Sequence, residues 1–248
     1  MAEAAAPNVL TSNDDNALFE FLSATPNTNQ IWVNLIQSGR EDFVASNTLL
    51  DLMKSLSPTD ARIGQFYTRD RNGNYTAGTY GRSNAYINFS HAGDLVTDPT
   101  APSTFMDYAE VEFLLAEASV RGYSVGGTAE SHYNNGIAAS FDTWGVSASA
   151  AAYIALPTVA FTTSSGTPLQ RIARQRYIAL FNRGHEAWTE QRRLDFPVYN
   201  APPIPNGDFP TRLTYPNAEQ TSNLENYTAA ASAIGGDLLT TKVFWDKF

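Results

Sequence analysis

The densest collection of groups able to hold a ligand lies in residues 64–91, GQFYTRDRNGNYTAGTYGRSNAYINFSH, which contain four Gly, four Tyr and four Asn without helical periodicity. Tyr67, Tyr75 and Tyr80 offer flat apolar faces that end in a hydroxyl, and Arg69, Asn72 and Asn84 offer planar polar groups. That pairing matches the alternating ring faces and hydroxyl edges of a sugar. The same residue types also suit turns for geometric reasons alone, so a ligand-binding loop and a purely structural one are both open. Asp70-Arg71-Asn72-Gly73-Asn74 begins like a calcium loop but lacks the later bidentate acid. No cofactor is expected, with calcium the single one left open.

Carboxylates are the other chemistry-bearing class. A glycosidase needs only two acids brought close by the fold, and Glu110, Glu117 and Glu186 are the candidates. Against that reading, Arg171, Arg174, Arg176, Arg183, Arg192 and Arg193 crowd one segment, where ion pairing on helix surfaces accounts for acids and bases together. The run Glu186-Ala187-Trp188-Thr189-Glu190-Gln191-Arg192-Arg193 places two acids, an indole and two guanidiniums within two turns. We read Glu186, Trp188, Arg192 and Arg193 as a packed polar brace. It predicts a largely buried Trp188, with Arg192 or Arg193 paired to a carboxylate of the 107–117 helix or to Glu186.

Other chemistries lack their marks. His91, His132 and His185 are far apart, without the i, i+4 spacing that presents two ligands to one metal, and there is no cysteine. Neither a nucleophile elbow nor a phosphate-cradling glycine loop occurs. With 16 Lys and Arg against 25 Asp and Glu, the formal charge of −9 repels nucleic-acid backbones and anionic lipid surfaces. The first residues lack the basic and apolar run of a signal peptide, and no window approaches the apolar length of a membrane span.

The elements that must position these groups are mostly helices. Ser46 before Leu49, Leu50, Leu52, Met53 and Leu56 predicts a helix over Asn47–Leu56, ended by Pro58. A strong helix begins at Asp107 and stops at Gly122; being apolar on most sides, it is expected to pack on more than one side. On it Glu110 and Glu117 align, while Glu112 points nearly the other way at 100° per residue. Ala129–Trp144 makes a second helix, closed by Gly145, and the two form an αα-hairpin. An Ala-rich segment behind Ser147 ends at Pro157. A further helix from Pro168 is expected to run to Gly184, and a short one over Asn223–Ala233. Residues 64–91 read as turns with room for a small β-hairpin, and 197–216, with six prolines, as an extended surface loop. The fold class is therefore mainly α, arranged as an irregular 1–104, helical hairpins over 105–196 and a loop and tail over 197–248. A strict hairpin repeat is not evident.

Several phrases together resemble the C-terminal half of SusD/RagB-type nutrient-binding proteins. They are Ser38-Gly39-Arg40-Glu41-Asp42-Phe43-Val44-Ala45-Ser46, Tyr108 to Ala118 (YAEVEFLLAEA), Tyr133-Asn134-Asn135-Gly136-Ile137, Gly184 to Pro197 (GHEAWTEQRRLDFP), Arg212-Leu213-Thr214-Tyr215-Pro216 and Phe244-Trp245-Asp246. The resemblance implies tetratricopeptide-type hairpins and a surface-exposed lipoprotein of the outer membrane. It also implies non-catalytic delivery of oligosaccharide or polysaccharide to a TonB-dependent transporter. Family members are longer, carry a signal peptide and a lipidated cysteine, and have an N-terminal half, so the chain is expected to be a C-terminal portion. The rival expectations are a glycoside hydrolase and a helical scaffold that binds only protein.

Overall fold

The computed structural model describes residues 1–203 and 207–246. Its regular elements of note are β1 (Ala17–Phe19), α1 (Asn47–Leu56), β2 (Ser103–Met106), α2 (Tyr108–Val120), α3 (Ala129–Thr143), α4 (Pro168–Ala179), α5 (Gly184–Leu194), α6 (Asn217–Ser222) and α7 (Leu224–Ala233), with shorter helical turns between them. The fold is mainly α. Among the described residues no helix is long and apolar enough to cross a membrane.

Local chemistry accounts for the helix ends. The Ser46 hydroxyl accepts the Thr48 N–H at the start of α1, and Asp107 accepts the Glu110 N–H at 2.7 Å at the start of α2, each satisfying a donor that the helix itself leaves unpaired. Thr128 with Ser131, and Thr167 with Gln170, form reciprocal capping boxes for α3 and α4. Gly122 and Gly145 end α2 and α3 with φ of +87° and +69°, values that a side chain would strain.

The helix from Pro168 stops earlier than the sequence predicts. It ends at Ala179, the chain reverses through Asn182 at φ +65°, and α5 starts at Gly184. Asn tolerates the left-handed region better than most residues, so the reversal occurs two residues ahead of the glycine. The sheet also differs from expectation. Residues 64–91 form no strand; β1 pairs antiparallel with the distant β2, Leu18 opposite Thr104 and Phe19 opposite Ser103. Residues 197–203 and 207–216 hold no regular element, and the rest of that expected loop lies outside the described residues. Asn217–Ser222 is a helix that the sequence reading missed.

The core gathers on α2. Phe113, Ala116 and Ala109 of α2 join Tyr133, Ile137 and Phe141 of α3, Ile172 and Ile178 of α4, and Leu50 and Met53 of α1. The Phe113 and Tyr133 rings meet edge to face at 6.3 Å, and the Tyr133 hydroxyl donates to the Val159 carbonyl at 2.6 Å. Arg62, wholly buried, is made tolerable there by Asp60, whose carboxylate accepts from Nη2 at 2.8 Å, by Ser140 at 3.1 Å and by the Phe141 ring 4.4 Å away. The hairpin closes tightly because residue 136 has no side chain. A Cβ there would lie 2.9–3.0 Å from three atoms of the Phe113 ring.

Gly136→Ala therefore sets a helix-propensity gain of about 1 kcal/mol against overpacking of roughly 1–3 kcal/mol in a filled core. We expect a net loss, seen as a lower midpoint of chemical denaturation. A raised midpoint would mean that Phe113 has room to withdraw.

Candidate functional site

The polar loop that follows the short helix Ile63–Phe66 is pinned at both ends. Thr68 donates its N–H to the His91 carbonyl and Gly93 to that of Phe66, while Gly78 and Asn47 exchange backbone bonds with Ala45 and Gly78. Inside it Asp70 acts as a hub. One carboxylate oxygen accepts the N–H groups of Asn72 (2.8 Å) and Asn74 (2.9 Å), and the other accepts the Thr76 hydroxyl (2.7 Å). These bonds, from Asn74 and Thr76 first, hold the Asp70 carboxyl below its usual range. The carboxylate that suggested calcium is thus occupied by its own loop, and among the described residues no cluster of three metal-ligating side chains occurs.

The six residues proposed from sequence divide by depth. Tyr67 is 6% exposed and belongs to the core, with only an edge left toward an apolar recess; burial pushes its phenol well up. The hydrophobic ring outweighs the turn context. Tyr75 is half-buried, packed on the core, with the Arg69 guanidinium 4.5 Å from its ring centre and Arg69 donating to the Gly73 carbonyl at 2.7 Å. Asn84 spends its amide on the loop, accepting from Thr79 and donating to the Thr79 and Arg82 carbonyls. Asn72 is exposed, and Tyr80 is half-exposed with its backbone N–H held by Asn47. Arg69, Asn72 and Tyr80 thus face outward, and Tyr75 and Asn84 support them.

A cleft of about 510 Å³, lined by none of these six residues, has Asp98, Thr100, Trp144, Asn182, His185 and Glu186 in its walls. Through Val96, Phe181 and Asn182 it continues into an apolar recess of about 430 Å³ beside Val44 and Tyr67. The sequence reading missed it. Trp144 appeared as the last residue of one helix and Glu186 as part of another, and only the reversal at Asn182 brings them together.

The brace exists, but with different members. Trp188 is half-buried rather than largely buried; its Nε1 donates to the Pro210 carbonyl at 3.2 Å and the Arg192 guanidinium lies 3.8 Å from its ring. Glu186 is exposed on the cleft and makes no ion pair among the described residues; Glu190 takes its place. Arg193 binds Glu117, with Nη1 to Oε1 at 2.6 Å, and Glu190 at 2.7 Å. Glu190 also meets Arg176 at 2.7 Å, Arg176 meets Glu110 at 3.0 Å, and Arg183 meets Glu110 at 2.5 Å and Asp107 at 3.4 Å. Arg121 completes the series on Glu117 at 2.8 Å. The expected pairing of acids with the Arg cluster is found, though buried and not on helix surfaces: Glu110, Glu112 and Glu117 are 7%, 5% and 5% exposed. Glu112, on the opposite side of α2, is met by His132 at 2.7 Å.

Burial alone acts to raise the Glu117 carboxyl, but the hydrogen bonds and charges of Arg193 and Arg121 outweigh it and hold the group below its ordinary value. A general acid needs the reverse shift.

The family model described as SusD-like, starch-binding and associating with the outer membrane, matches residues 1–216. No curated protein matches the chain. Among solved structures, a chitin-binding SusD homolog from Flavobacterium johnsoniae is 27% identical with a TM-score of 0.81, over 98% of this chain and 57% of that one. Another chitin-binding protein is 27% identical with a TM-score of 0.84, covering 99% and 58%. A SusD homolog from Bacteroides thetaiotaomicron is 25% identical with a TM-score of 0.84, covering 99% and 59%. The chain therefore spans a little under three fifths of the length of these relatives.

Because the folded state holds Glu117 below its unfolded value, its contribution to stability is present above the unfolded carboxylate range near pH 4.3 and is lost as pH falls through the lower folded value. Glu117→Gln should be less stable than wild type at pH 7 and should lose less between pH 5 and pH 3, as read by urea midpoints. Parallel acid profiles for the two proteins would remove Arg193 and Glu117 from the account of stability.

Proposed function

The chain belongs to the SusD-like family, and from that premise we propose that it captures an oligosaccharide at the outer-membrane surface without cleaving it. The observation that carries this reading is the family match across residues 1–216, whose description is starch-binding. The similarity to two chitin-binding proteins over nearly the whole chain supports the same ligand class. Delivery to a TonB-dependent transporter and anchoring as a lipoprotein belong to the same proposal.

The chemistry of the loop agrees with it. A neutral sugar has no charge to steer it, so affinity must come from covering a ring face with apolar surface and replacing the water on its hydroxyls. Tyr80 offers the ring, and the side chains of Asn72 and Arg69 offer the polar groups. Asp70 holds the turn that carries Asn72, which reduces the ordering cost of binding. The cleft lined by Trp144, Asp98, Asn182 and His185 has a similar mixed apolar and polar character. The acids that a hydrolase would use are committed elsewhere: Glu110 and Glu117 are held by arginines, and Glu186 stands exposed at the rim.

Titration calorimetry with maltohexaose and chitohexaose tests the reading. Tyr80→Ala should weaken binding by about threefold to tenfold, the worth of one stacked aromatic, while the melting temperature stays unchanged. Tyr75→Ala should instead lose roughly 1–3 kcal/mol of stability, because its ring is packed on the core. Incubation with either sugar should release no reducing ends above a blank. Steady release would replace capture with hydrolysis.

A further inference from the structure

The segment after Pro216 lies beyond the residues that the family model matches, and together with Tyr215 and Pro216 it forms a concave surface. Helices α6 and α7 bury no residue between them, and neither Tyr227 of α7 nor Tyr215, just ahead of α6, is buried in a core. Yet they are firmly placed. The Asp237 carboxylate accepts from Arg212 Nη1 at 2.8 Å and from the Tyr215 N–H at 3.1 Å, and the Arg212 guanidinium lies 4.7 Å from the Tyr215 ring centre, covering one face of it. Tyr227, from α7, meets Tyr215 at 6.0 Å and 86°, so the two half-exposed rings form a right-angled corner.

One wall of that corner is polar and ordered. Asn226 donates to Asn223 at 2.6 Å, and Asn223 donates to Glu219 at 2.8 Å. The three side chains stand with Tyr215, Tyr227 and Pro216 around a concavity of about 400 Å³.

We propose that this corner between α6 and α7 is a second oligosaccharide subsite, taking one or two neutral pyranose units. The proposal rests on the reading of the chain as a glycan binder. Perpendicular rings let a pyranose place its C–H face on one tyrosine and its edge against the other. The amide and carboxylate groups along the wall offer donors and acceptors to vicinal hydroxyls. An anion is disfavoured, because Glu219 supplies negative charge and the Arg212 guanidinium beside the corner is held by Asp237. A subsite away from the loop of residues 69–84 would let one chain hold a polymer at two points, raising apparent affinity without tighter individual contacts.

The test uses the full 248-residue chain with maltohexaose in one arm and chitohexaose in the other, followed by NMR of the tyrosine ring resonances and by calorimetry. We expect the Tyr215 and Tyr227 ring signals to shift with sugar. Tyr227→Ala, and separately the exposed Asn226→Ala, should weaken binding by about threefold or more. Asn226→Ala touches no core residue, so it keeps the test valid if Tyr227→Ala lowers stability. A response in the chitohexaose arm alone would assign the contact to acetamido groups, and a response in both to the pyranose ring itself; either supports the subsite. Sugar binding that leaves these ring signals unmoved and survives both substitutions, while Tyr80→Ala weakens it, would overturn the subsite and leave the capture reading standing. No binding of either sugar by the wild-type chain would overturn both.

Discussion

The structure depends on one alternating series of charges. Asp107, Arg183, Glu110, Arg176, Glu190, Arg193, Glu117 and Arg121 meet in that order, four acids and four bases with no net charge. It ties α2 to α4 and to α5 where an apolar seam would otherwise be expected. Taking any one of these ions out of water is costly, and the cost is offset only while its neighbours remain in place. Removing a single member therefore strands a buried charge, which is worse than never having had one. Such a series specifies geometry more than it adds stability: the bidentate guanidiniums accept only one register of α5 against α2.

That constraint also decides what the acids can do. Glu110 and Glu117, each held by arginines, are structural anchors on one helix. Burial of Glu117 would, in isolation, push its carboxyl toward the raised values that proton donors need. The guanidiniums reverse that tendency for Glu117. The catalytic alternative loses two of its three candidates to the same interaction that holds the helices together.

With the helices fixed, the loops can be polar and still ordered. The segment around Asp70 has little hydrophobic content, yet backbone bonds to residues 45, 66 and 91 and a fully engaged carboxylate hold it. The hairpin of α6 and α7 is held in a similar way, by Asp237 beneath Arg212 and Tyr215. In both places a buried or partly buried aspartate orders the backbone, and aromatic and amide side chains are left at the surface. That division of labour suits a ligand made of ring faces and hydroxyls.

Much of this was legible in the sequence, where local physics decides. Ser46, Asp107, Gly122 and Gly145 mark helix ends because capping and positive φ depend on a few neighbouring residues, and the αα-hairpin follows from apolar spacing. The short family phrases are equally local. What the sequence could not reveal is depth. Tyr67 and Tyr80 sit in the same turn-rich run and read alike, but one is in the core and the other at the surface, because residues 92 and 181 pack over only the first. Glu110 and Glu117 read as surface acids, since the arginines that cover them, Arg121 aside, lie 66 to 76 residues away. Glu186 and Glu190 are one turn apart on α5, yet only Glu190 reaches Arg176. Sequence by itself determined most of the longer helices and which family they belong to, through interactions within a turn or two of the chain. Tertiary structure alone decided which charges and rings face inward, because burial is a property of packing between segments that the chain order keeps apart.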